Sequence, residues 1–183
     1  MLIAYIDESY DTDTRVGYFM SAVVVREATL RDYWEAMLVA AHPHLPEGTE
    51  LHGTEIFQGD KAYAEVSVFD RIGIYRQGLR VVRDHAVAVA VAYRRPFEGE
   101  EPPERGWHQL NGEWRLAVLQ ALVPSIEAYA RNEDEFLILV ADEEHTTTTH
   151  VVEMLRRRRP AGVLNTPIIE TAMFARSHNS PGV

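Results

Sequence analysis

The chain has 183 residues, 46% of them apolar and 25% charged, with a formal net charge of −10 and no cysteine. That length supports one domain with a real core. The missing cysteines exclude disulfides, thiolate metal sites and cysteine nucleophiles, and no apolar run reaches the roughly eighteen residues of a membrane helix.

The first predicted element is a short buried strand, Leu2-Ile3-Ala4-Tyr5-Ile6, which ends in Asp7-Glu8-Ser9. An apolar strand with carboxylates at its tip can hold oxygen ligands for Mg²⁺ or Mn²⁺. The same residues can also simply make a turn. No basic leader precedes this strand, so no signal peptide is expected and a cytoplasmic address is. Residues 18–25 form a second β-branched strand, close enough to the first for an antiparallel hairpin. Residues 28–41 carry Leu30, Trp34, Met37, Leu38 and Ala41 at helical spacing, and Pro43 and Pro46 end the helix.

Residues 50–57 read as a loop with a helical turn. Residues 67–84 predict an amphipathic helix with Phe69, Ile72, Tyr75, Leu79 and Val82 on its inner stripe. A third strand follows over 85–93, then a proline- and glutamate-rich loop over 96–106. Residues 107–131 predict a helix with Leu110, Trp114, Val118, Leu122 and Ile126 on one side and a kink at Pro124. Residues 135–141 are nearly all apolar and so predict a central strand, ending in Asp142-Glu143-Glu144. A helix over 146–159 and a last strand over 167–174 complete the order. The expected fold is α/β: one domain over 1–183 with a mixed sheet of about five strands and flanking helices.

Charge is uneven along this order. Acids gather near Asp7, Glu98, Glu127 and Asp142, while Arg156, Arg157, Arg158 and Arg159 form a basic run. The run suits a phosphate-bearing ligand, or equally a solvated helix end. So acidic a chain is not expected to hold nucleic acid by bulk attraction. Two strands end in acids. If they are parallel neighbours, those acids share the carboxyl edge of the sheet, where α/β proteins bind ligands. With Glu55 from the intervening loop they would make an oxygen-rich site suited to Mg²⁺ or Mn²⁺ rather than Zn²⁺.

Four segments resemble the domain-of-unknown-function 3800 family: Tyr5-Ile6-Asp7-Glu8-Ser9, Glu50-Leu51-His52-Gly53-Thr54-Glu55-Ile56-Phe57, Val140-Ala141-Asp142-Glu143 and the approach to a fourth motif from Ala175 to Val183. That family is similar to RNase H-like nucleases and integrases. The resemblance implies Asp7, Glu55 and Asp142 as metal ligands, with Glu8, His52 and Glu143 as supporting catalytic residues. It also implies phosphodiester hydrolysis, with DNA or RNA as the partner. The family continues into a helix bearing one further Asp, and this chain stops at Val183, where that helix is expected to begin. That departure keeps a second reading open, a catalytically inactive binding or assembly module on the same fold, in which the chain forms a homo-oligomer or partner complex.

Other candidates carry less. His145 and His150 are poorly spaced as ligands, and His85 reads as structural. No G-x-S-x-G elbow or phosphate-cradling G-x-x-x-x-G-K occurs. Trp34, Trp107 and Trp114 fit helix cores, with Trp107 the position to test for contact with nucleic acid. Lys61 is the only lysine, which reads as composition bias.

Overall fold

The computed structural model describes residues 1–10, 18–41, 44–45, 51, 53–94, 112–142 and 168–175. The predicted helix over 146–159, the loop over 96–106, Trp107, His145 and His150 lie outside these residues. Five strands and four α-helices are described: β1 (Leu2–Tyr10), β2 (Tyr18–Arg26), α1 (Leu30–Ala41), α2 (Gly53–Gln58), α3 (Val68–His85), β3 (Ala88–Arg94), α4 (Gly112–Asn132), β4 (Leu137–Asp142) and β5 (Ile168–Ala175). No helix among the described residues is long and apolar enough to cross a membrane. The backbone gathers into two compact units, one of residues 1–24 and 88–183, the other of residues 25–87.

The first unit is built on a mixed open sheet in the order β3-β2-β1-β4-β5. β2 and β3 are antiparallel, while β1 and β4 run parallel. β5 joins β4 in parallel, but only through two register shifts, so this edge is less regular than the rest. The two-residue period of the strands sorts most of their side chains, with Ile3 and Val25 buried on the other parity. Leu2, Ala4 and Ile6 of β1, Tyr18, Met20, Ala22 and Val24 of β2, and Leu137, Leu139 and Ala141 of β4 are all buried. Ile138 and Val140, on the opposite parity of β4, are half-buried.

Helix α4 packs on β3. Its buried residues Val118, Leu122 and Ile126 fall on the predicted stripe, with Leu119, Val123 and Ala130 beside them. The helix is continuous through Pro124. It ends where Asp134 takes a left-handed conformation (φ 54°) and the Glu135 amide donates back to the Ala130 carbonyl at 3.0 Å. Asp tolerates that region better than most residues, so it serves where a glycine commonly would.

The second unit is helical. Ser67 caps α3, its hydroxyl oxygen accepting from the Asp70 amide at 3.2 Å. The core is Ala41, Leu45, Ile56, Tyr63 and Ile74, with Leu51, Val66 and Tyr75 packed against it. The inner stripe predicted for α3 is therefore a correction. Phe69 is 88% exposed, and Ile72 and Leu79 are exposed too, while Ile74 is 2% exposed. Tyr75 of that stripe does pack against the core, beside Ile74, so the buried side is rotated from the one the large side chains mark rather than opposite to it. His85 also ends this helix rather than starting β3.

Helix α2 is only six residues long and depends on its neighbour. Arg71 of α3 donates to the carbonyls of Ile56 at 2.9 Å and Phe57 at 3.1 Å, closing the end of α2. Gly59 follows with φ +76°, and a Cβ there would stand 2.3 Å from the Arg71 guanidinium. Gly59→Ala meets both a strained backbone and a displaced cap. It is expected to lower stability by about 1–2 kcal/mol, measured as a fall in the urea midpoint.

Candidate functional site

The site expected from the sequence depends on whether β1 and β4 are neighbours. They are, and they run in the same direction, with Leu2 opposite Leu137 and so on to Ile6 opposite Ala141. Asp7 and Asp142 are the next residues on each strand. Parallel register therefore sets the two acidic positions side by side at the carboxyl ends of adjacent strands, about 5 Å apart across the ladder. Strand parity puts position 7 with Ile3 and Tyr5, and position 142 with Ile138 and Val140, on one face of the sheet. On this face Ile3 is buried and Tyr5, Ile138 and Val140 are half-buried, opposite the buried set of Leu2, Ala4 and Ile6.

Asp7 is exposed. Its Oδ1 accepts from the Glu8 amide at 2.8 Å, which fixes the start of the strand's polar tip. Glu8 has the other parity. Its carboxylate is half-buried and accepts a hydrogen bond from the Tyr18 hydroxyl. Tyr18 is 1% exposed, so the phenol comes from the core of the same unit. A hydroxyl donating to a carboxylate makes a strong, charge-assisted bond. Glu8 thus acts as a pinned residue on the buried side, while Asp7 stands on the open one.

Glu55 lies in the second unit, on α2. Its half-buried carboxylate is paired with Lys61 Nζ at 2.6 Å. Lys61 itself sits in a left-handed conformation (φ 51°) within a 3₁₀ turn. This pair neutralises the acid that sequence reasoning offered as a third ligand. His52 and Glu143 lie outside the described residues. Among the described residues no group of three or more His, Cys, Asp or Glu side chains is arranged to hold a metal ion.

The register places two aspartates at neighbouring positions, and carboxylates that approach each other repel unless a proton or a cation lies between them. Sequence reasoning missed two partners. Tyr18 could have been found from its place at the start of the strand beside β1. Lys61 carried a signal in being the only lysine, six residues beyond Glu55.

Tyr18→Phe is expected to cost about 1–2 kcal/mol, because the half-buried Glu8 carboxylate loses a strong donor. Thermal unfolding with Glu8→Gln as a second variant checks it. The two changes should be less than additive, since each removes the same bond.

A scan against protein-family models and a search of curated proteins return no match to this chain.

Proposed function

We propose that this chain is a divalent-metal-dependent, nuclease-like domain of RNase H-like type that hydrolyses phosphodiester bonds at the carboxyl edge of its sheet. The observation that carries this reading is the parallel register that brings the positions of Asp7 and Asp142 together. Asp7 and Asp142 are the proposed ligands for Mg²⁺ or Mn²⁺. Bound there, such an ion would lower the pKa of a water and stabilise the leaving oxygen. Asp7 supplies an exposed carboxylate on the open face. Glu8, tied to Tyr18, stiffens the strand end and keeps Asp7 at a fixed height. Glu55 enters the reading through the resemblance of its segment to the second family motif, and so do His52 and Glu143.

The pairing of Glu55 with Lys61 favours a second reading. A carboxylate already neutralised by an ammonium holds α2 against the turn that follows and needs no metal. On that reading the domain is a binding or assembly module without catalysis.

One experiment separates the two. The chain is titrated calorimetrically with Mn²⁺ and assayed against single-stranded and duplex DNA and RNA. Saturable heat together with metal-dependent cleavage supports the nuclease reading. Neither heat nor cleavage supports the module.

A further inference from the structure

The hydrogen bond from Tyr18 to Glu8 brings the start of β2 beside the end of β1 and puts Tyr18 on the Glu8 side of the sheet. Phe19, the next residue, therefore lies on the Asp7 side. Phe19 stands opposite Tyr93 of β3 in the antiparallel register. Their rings stack, with centroids 5.9 Å apart and planes 24° from parallel. Phe19 is half-buried, whereas Tyr93 is 60% exposed. A half-buried ring thus backs one that stands in solvent. Val91 and Val89, also exposed, continue the same side of β3 away from the acidic edge.

Three exposed apolar side chains in a row mark an interaction face, and what lies beside them narrows the occupant. β3 and β1 are separated by two strand spacings, about 10 Å, so the ring shares one side and one end of the sheet with the acidic pair of positions. A ligand that uses both needs flat apolar groups and an anionic linkage that a cation at the acids would take. Unpaired nucleobases on a phosphodiester backbone have both, and sheet faces with exposed aromatics stack such bases. A duplex keeps its base faces in its own stack and makes no use of the ring. An apolar protein segment, a second copy included, covers the valines but gives the ring no reason to stand beside the acids.

We propose that Tyr93, backed by Phe19, is a base-stacking platform that takes an unpaired nucleobase of a single-stranded nucleic acid and lays the neighbouring phosphodiester toward Asp7 and Asp142. The role of the acids rests on the proposed nuclease reading; the stacking itself needs no metal. Tyr93 selects single strands, because paired bases do not leave their stack without cost. The net charge of −10 supplies no bulk attraction to the backbone, so affinity comes from the stack and depends little on salt.

Fluorescence anisotropy of the full chain with end-labelled oligothymidylate and oligouridylate tests this, with chelator and again with Ca²⁺, beside the Mn²⁺ titration. The wild type is expected to bind one or both strands in the micromolar range, about tenfold or more tighter than a duplex of the same length, with a shallow salt dependence. Tyr93→Ala and Tyr93→Leu should each weaken binding by about tenfold or more, while Tyr93→Trp keeps it. Leu keeps apolar bulk at the position and loses only the ring, so a merely structural role would leave Tyr93→Leu binding like the wild type. The Mn²⁺ heat should be the same in all four proteins. A wild type that binds neither strand in either condition overturns the platform, even where the Mn²⁺ heat stands and the metal reading survives. Equal affinity for the duplex overturns it, as does full binding by Tyr93→Leu. So does a wild type that sediments as a dimer which Tyr93→Ala dissolves, because a second copy then covers the ring. Binding that Tyr93→Leu loses, in a chain that gives no Mn²⁺ heat, upholds the platform and removes the nuclease.

Discussion

The double variant Asp7→Asn, Asp142→Asn is expected to lose the heat of Mn²⁺ binding and to cut phosphodiester hydrolysis by on the order of 100-fold or more. Asn keeps the shape of Asp and can still accept a hydrogen bond, so the Glu8 amide retains a partner for position 7. Asp7 is exposed, so its replacement costs little folding energy. What changes is charge. Two adjacent carboxylates become two amides, and the electrostatic reason for a cation between the strands disappears. Circular dichroism should be unchanged while the calorimetric signal falls to dilution heat. Glu55→Gln belongs in the same series. Its carboxylate pairs with Lys61, so this variant reports whether that charge serves the ion pair, in which case the Mn²⁺ heat is unchanged. Heat retained in the double variant would end the metal reading.

Much of the first unit is legible in the residue pattern alone. The apolar run from Leu137 to Ala141 predicted a strand with neighbours on both sides, and β4 lies between β1 and β5. The stripe Val118, Leu122, Ile126 predicted the buried side of α4. Both signals come from chain segments whose pattern has one solution: an apolar strand with no polar face, or a helix with one apolar side. The pairing of positions 7 and 142 was legible as a condition, that the two acid-tipped strands be parallel neighbours, and β1 and β4 meet it.

Helix α3 had no such uniqueness. Its large apolar residues are spread around the helix, Ile74 and Tyr75 at the core and Phe69, Ile72 and Leu79 exposed, so periodicity leaves the turn of the helix open. Which part faces inward is set by α1 and α2, on which α3 packs. The pairing of Glu55 with Lys61 was hidden for a related reason. A salt bridge across a turn depends on the left-handed backbone at Lys61, and no residue pattern announces that conformation for a lysine.

Ile74→Ala is expected to destabilise the second unit by about 3–4 kcal/mol, in the upper part of the range for such truncations. Ile74 is 2% exposed and sits in a small core with Ala41, Leu45, Ile56 and Tyr63 among the described residues. Tyr75 and Leu51 already pack against this core, so neither is spare to fill the void. A cavity that cannot collapse costs more than one that can. Hydrogen exchange should therefore speed up in α1 and α3, while β1 and β4 keep their protection from a core that does not include Ile74. Ile72→Ala is the matched control. It removes the same atoms two residues away, from an exposed position, and should change stability by less than about 0.5 kcal/mol. The predicted stripe would reverse these two values, because it points Ile72 inward. The pair of variants therefore measures directly which side of α3 faces its core.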